Sequence, residues 1–263
     1  METTEPARHN TLFPNVLAGL IIGFTEIIVA VSLASLVFSG TMNSYLARGI
    51  AAMLVTVVVH LVITGLFSSF KNAISSIQDN PVVVLSVSVV ALLGSNPLAS
   101  DELFATVIAL ILTMTLLTGV FLVLLGTFRL GGLVRYIPYP VIGGFLAGTG
   151  WLLAQGGIGS MISYPLNLTT LGNLFAADQL GLWFPGTVFG LLLFFAVQRL
   201  NHWAVLPAML LGGLVLFYVV LLFSGTSIEQ AIANGLLLGN LGDRSIWQPL
   251  PLGELTQADW GAI

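Results

Sequence analysis

The sequence has no cysteine, a single lysine (Lys71) and few charges of either sign. Without cysteine there is no disulfide, no thiol nucleophile and no thiolate-bound metal, and the redox compartment leaves no trace. Charged residues make up 7% of the 263 positions, where a water-soluble domain carries roughly 25%. That deficit, with 57% hydrophobic residues, makes the lipid bilayer the solvent for most of the chain. A net charge of −4, scattered along the sequence, offers nucleic acid nothing to bind. The three histidines, His9, His60 and His202, lack ligand spacing, so neither a metal nor another cofactor is expected. HExxH, a nucleophile elbow and paired intramembrane aspartates are also missing, which argues against an enzyme.

What is present is a series of apolar runs. A spanning helix needs about 20 apolar residues, and residues 15–39, 45–70, 103–128, 139–157, 182–200 and 204–223 meet that length. A seventh run, 81–94, is too short to cross. The expected architecture is therefore an all-α polytopic membrane protein of seven segments, one of them broken. Residues 1–14 form a polar cytoplasmic tail, 15–223 the transmembrane unit, and 224–263 a polar extracytoplasmic loop leading to a further helix. With the N-terminus inside, Arg8, Lys71, Arg129, Arg135 and Arg199 fall on the cytoplasmic side, and Arg48 and Arg244 outside. That is the positive-inside asymmetry, and it suits a cytoplasmic (inner) membrane. An odd number of segments would insert a second copy upside down, as in inverted-repeat transporters.

The short run begins Asp79-Asn80-Pro81, after Ser75-Ser76-Ile77-Gln78. Asp79 or Asn80 suits a helix cap and Pro81 the first turn. Residues 73–78 are too few for a helix and are expected to run extended, so the helix would start near the membrane midplane. Its free N–H groups and positive dipole end would face a solute there. The candidate substrate site is Gln78, Asp79, Asn80, Pro81 and Val82. Ser75, Ser76, Ser86 and Ser88 are weaker candidates, better read as bonding to backbone.

One stretch carries a family resemblance. Leu133-Val-Arg-Tyr-Ile-Pro-Tyr-Pro-Val-Ile-Gly-Gly-Phe-Leu-Ala-Gly-Thr-Gly150, with Gln155 after it, resembles the fifth helix of the SulP (sulfate permease) family. The later Gln248-Pro-Leu-Pro-Leu resembles the stretch before that family's eighth helix. The resemblance implies one half of a 7+7 inverted repeat, divided into core and gate, with a strand plus half-helix as third segment. It implies secondary transport of a small anion such as sulfate, bicarbonate or a dicarboxylate, coupled to H⁺ or Na⁺. A second half-repeat, a STAS domain and a homodimer would be the protein partners, and this chain would be a fragment or a split half.

Two departures stand out. The first helix leads into Gly40-Thr-Met-Asn-Ser-Tyr45 without the family's prolines, and the third opens with Asp79 where a small polar residue is usual. Two unit charges about 4 Å apart repel by about 4 kcal/mol at an effective dielectric of 20. A fixed carboxylate therefore favours the alternative substrate, a cationic or zwitterionic solute such as a basic amino acid. An ion channel on the same scaffold is a further alternative.

Glu26 lies deep in the first run. Carboxylates at that depth cost about 2.5–3.5 kcal/mol and usually mark pathways, so proton or cation coupling is expected there. His60 lies mid-run and could exchange protons with Glu26 or Asp79, or simply bond to backbone. Thr25, Ser32 and Ser39, and Gly143, Gly144, Gly148 and Gly150, read as surfaces for close helix packing.

Overall fold

In lipid a backbone must satisfy its own hydrogen bonds, and a helix does so within one segment. A computed structural model of the chain describes residues 12–38, 40–70, 75–95, 100–162, 166, 170–238 and 252–263. Among them the regular structure is helical throughout. The helices are α1 Leu12–Val37, α2 Leu46–Phe67, α3 Asp79–Ser95, α4 Ser100–Thr127, α5 Tyr139–Ile162, α6 Ala177–Leu200, α7 Val205–Ser224 and the short α8 Ile228–Ala233. Tight 3-10 turns at Gly40–Tyr45, Leu130–Tyr136, Leu171–Phe175 and Leu252–Gln257 link or follow them.

All six long runs of the sequence become helices long and apolar enough to cross a bilayer, and Asp79–Gly94 stands as a shorter apolar helix. At 1.5 Å per residue α3 spans roughly 25 Å, short of a hydrocarbon core of about 30 Å. α6 starts five residues before the expected 182 because its first turn is polar, with Asp178 placed where a helix favours negative charge. The helical hydroxyls are absorbed locally. Thr56, Thr115, Thr118 and Thr127 each donate to the carbonyl four residues back at 2.7–2.8 Å, which suits a solvent without water. α7 ends on Gly225 at φ 68°, with Thr226 N–H donating to Leu221 O at 3.2 Å, a left-handed cap that closes the last carbonyls.

The interior lies where α1 to α4 meet. Leu33, Val37 and Phe38 pack with Val82, Val89 and Phe104. Tyr45 stacks on Phe104 at 4.6 Å, and the Arg48 guanidinium lies over the same ring at 5.2 Å. Gly49 lets Phe38 in: a β-carbon there would come within 2.3 Å of the ring. Segment 252–263 folds back onto this end of the bundle. Ala258 is buried against Ala105 and Ala109, and Asp259 N–H donates to Thr106 Oγ1 at 3.0 Å.

Several expectations change. Residues 75–78 form neither helix nor strand, and no backbone ladder joins them to a neighbour among the described residues; a strand requires such a partner. The late polar loop carries structure of its own, since α8 forms on a Ser227–Gln230 capping box and 252–263 docks on α4, while Glu229 and Asp259 stay exposed. Gly143, Gly144, Gly148 and Gly150 face open space rather than a packed neighbour. Close approach occurs instead at Gly156, where a β-carbon would meet Leu36 of α1. Residues 1–11, Ser39, Ala73 and Gln248-Pro-Leu-Pro251 lie outside the described residues.

Candidate functional site

Asp79 opens α3, and its Oδ1 accepts the backbone N–H of Asn80 at 3.0 Å. A helix leaves four N–H groups free in its first turn. Here these belong to positions 78–81; Pro81 has none, and that of Asn80 is taken by the carboxylate. Among the described residues, Gln78 and Asp79 keep theirs for another acceptor. The mouth of the helix therefore combines a fixed negative charge with two remaining donors. Gln78, Asp79 and Pro81 are exposed, Asn80 is half-buried, and Val82 is buried in the interior cluster. Five neighbouring residues thus divide into an open polar rim and an apolar anchor. Next along the helix, Ser86 is buried and donates to Val83 O at 2.8 Å. Ser88 bonds to Val84 O, so the hydroxyls of α3 serve its own backbone.

Glu26 is buried on α1, with 6% of its surface exposed, and its Oε2 accepts no hydrogen bond. It shares one stripe with Ala30, Leu33 and Val37, and Leu33 and Val37 belong to the interior formed with α2, α3 and α4. A buried carboxylate oxygen without a donor is costly, which separates Glu26 from an ordinary structural residue. His60 pairs elsewhere: its Nε2 meets the hydroxyl of Ser75, tying α2 to the segment just before α3. It lines a shallow groove of about 420 Å³ along α2 with Val55, Thr56, Val59, Ile63 and Thr64. The short range 75–82 is thus held at one end by His60 and at the other by the core contacts of Val82.

Thr149 escaped the sequence reading. It is buried on α5 and donates to Phe145 O and Leu146 O at 3.0 and 3.2 Å. Its only signal was a hydroxyl between the small residues Gly148 and Gly150, a pattern shared by many packing faces.

Six apolar spans, a buried intramembrane carboxylate and one helix too short to cross define a polytopic integral membrane protein. The chain belongs to the Sulfate permease family, whose pattern it matches over residues 12–240. It is also 26% identical over 259 residues to the vacuolar basic amino acid transporter VSB1 of Saccharomyces cerevisiae (strain ATCC 204508 / S288c). That alignment takes in 94% of this chain and 24% of the yeast protein, so the chain spans about a quarter of the length of that curated relative. No solved structure matches the chain.

Proposed function

We propose that the protein is a secondary active transporter of a small solute carrying a positive group, held at the N-terminus of α3. The observation that carries this reading is the Asp79 carboxylate at the open start of the helix, already occupying the Asn80 N–H. An anion arriving there would meet a like charge and half the usual donors. An ammonium or guanidinium group would meet a partner, and a carboxylate on the same solute could still reach the N–H groups of Gln78 and Asp79. A basic amino acid has both ends. The yeast relative, by its name a basic amino acid transporter, supports the same direction. Gln78, whose amide donates and accepts, completes the rim.

A second reading, a small anion such as sulfate, bicarbonate or a dicarboxylate, is favoured by family membership. In either case the solute is driven by H⁺ or Na⁺ through Glu26, and access alternates as one group of helices shifts against the other. The seven segments within 15–223 act as one half of a 7+7 inverted repeat in the cytoplasmic membrane, with the N-terminus inside and 224–263 outside.

The test is uptake into proteoliposomes of arginine, lysine, sulfate, bicarbonate and a dicarboxylate at two pH values. Arginine or lysine is expected to accumulate, and Asp79→Ser to lower that uptake at least tenfold while raising anion uptake. Sulfate accumulation by the native protein, unchanged in Asp79→Ser, would reverse the assignment. Passive current without a gradient would point to a channel.

A further inference from the structure

Glu26 has company that the α3 site does not use. Leu36 of α1 meets Gly156 of α5, close to the C-terminal end of each helix. Helices of 26 and 24 residues that meet there overlap along their length only if they run the same way. Thr149 lies seven residues before Gly156, about 20° from it around α5 and about 10.5 Å lower. Thr149 therefore faces α1. Glu26 lies ten residues before Leu36, about 15 Å lower, and is rotated about 80° from it, onto the buried stripe of α1. The two residues thus lie within about 4.5 Å of the same depth beside the wedge where α1, α3 and α5 meet. These three helices touch one another pairwise.

The chemistry of the wedge is one-sided. The Thr149 hydroxyl spends its hydrogen on Phe145 O and Leu146 O. Thr25, next to Glu26, spends its own on Ile21 O at 3.0 Å, and Ser86 of α3 donates to Val83 O. Each hydroxyl then offers lone pairs only. Glu26 Oε2 offers lone pairs as well and receives no hydrogen bond. Acceptors facing acceptors in a dry interior repel unless something positive lies between them.

The other ionisable side chains on helices against α1 do not supply it. Arg48 lies over Phe104, His60 pairs with Ser75, Asp79 is exposed at the start of α3, and Tyr139 of α5 and Tyr218 of α7 are exposed. We propose that Glu26 and Thr149, with lone pairs from Thr25 and Ser86, form a site for a small monovalent cation, Na⁺ or a proton, between α1 and α5. Thr149 is its specificity-determining residue. The site rests on the transporter reading in that its occupant would be the coupling ion, and it is separate from the α3 mouth. Because its oxygens come from both α1 and α5, the cation is held tightly only while these helices are apposed.

The test reads binding without substrate. Thermal unfolding of purified protein is followed against Na⁺, with choline as replacement, and separately against pH. The native protein is expected to be stabilised by one of the two, which identifies the ion. Glu26→Gln should abolish that response. Thr149→Val should weaken half-saturation about tenfold, the scale of one lost contact to a charge, and Thr149→Ser should restore it. If Thr149→Val does not yield monodisperse protein, Thr149→Ala takes its place with the same expected shift. A native protein indifferent to both ions, or a Thr149→Val or Thr149→Ala variant responding like native, overturns the proposal. Asp79→Ser should leave this response intact, so failure at the α3 mouth and failure of the cation site are read separately.

Discussion

From Phe104 to Leu110 α4 is buried without a break, whereas no residue of α6 is buried. The contrast extends to their neighbours. α1 to α4 share an interior with an aromatic hub at Phe38, Tyr45 and Phe104, while α5 to α7 contribute isolated buried positions such as Thr149, Pro207 and Leu221. α7 matches α4 in mean hydropathy, 2.6 against 2.7, yet is far less buried, so hydrophobicity alone does not create the difference. In a bilayer, lipid tails solvate leucine as well as another helix does, and association depends on shape. The α1–α4 side has that fit. The other side presents rings and branched chains outward, and a shift between the two sides would disturb little packing.

The comparison can be broken most decisively at its hub. Phe104→Ala is expected to cost about 3–5 kcal/mol, the range for a buried aromatic truncated to a cavity. Phe194→Ala on the outer face of α6 should stay within about 0.5 kcal/mol. Thermal unfolding of purified protein measures both, and equal losses would erase the distinction. Gly49→Ala comes next. Its new methyl would press on the Phe38 ring, which is buried, at a cost of about 1–3 kcal/mol. Gly148→Ala enters open space and should be neutral or gain up to about 1 kcal/mol from helix propensity. Opposite signs for the two glycines would sharpen the contrast; a shared sign would blunt it. A smaller loss than at Phe104 or Gly49 is expected at Thr106→Val, which removes the acceptor of the Asp259 N–H and should cost about 1 kcal/mol. Faster proteolysis within 252–263 would report it, with cleavage elsewhere unchanged.

Much of this organisation was legible before any coordinates. Six runs of sufficient length and one of insufficient length became the same seven helices, because backbone satisfaction in lipid leaves no other regular choice for such runs. Asp79 and Pro81 marked the start of α3 because their local chemistry belongs to helix beginnings. Glu26 was marked by cost alone, which depth in a run reveals. The hidden features depend on partners distant in sequence. Nothing near Thr149 says that Leu36 meets α5 at Gly156, one residue beyond Gln155. Nothing near Ala258 says that it will rest on Ala105 and Ala109. The glycines of α5 misled for the same reason: a small residue permits contact, and only the neighbour decides whether contact occurs. α8 is different, because Ser227 and Gln230 spell its capping box, and the surrounding polar residues masked it.

Pro81 carries one more consequence. Its ring nitrogen bears no hydrogen, so the crown of donors that normally encircles a helix tip has a gap on one side. Whatever docks there cannot sit centred on the axis. It must lean toward the Gln78 amide or toward the aspartate, and those two directions differ in charge. The tip is thereby handed: a solute with unlike ends finds one preferred way round, and a round ion with no ends finds none.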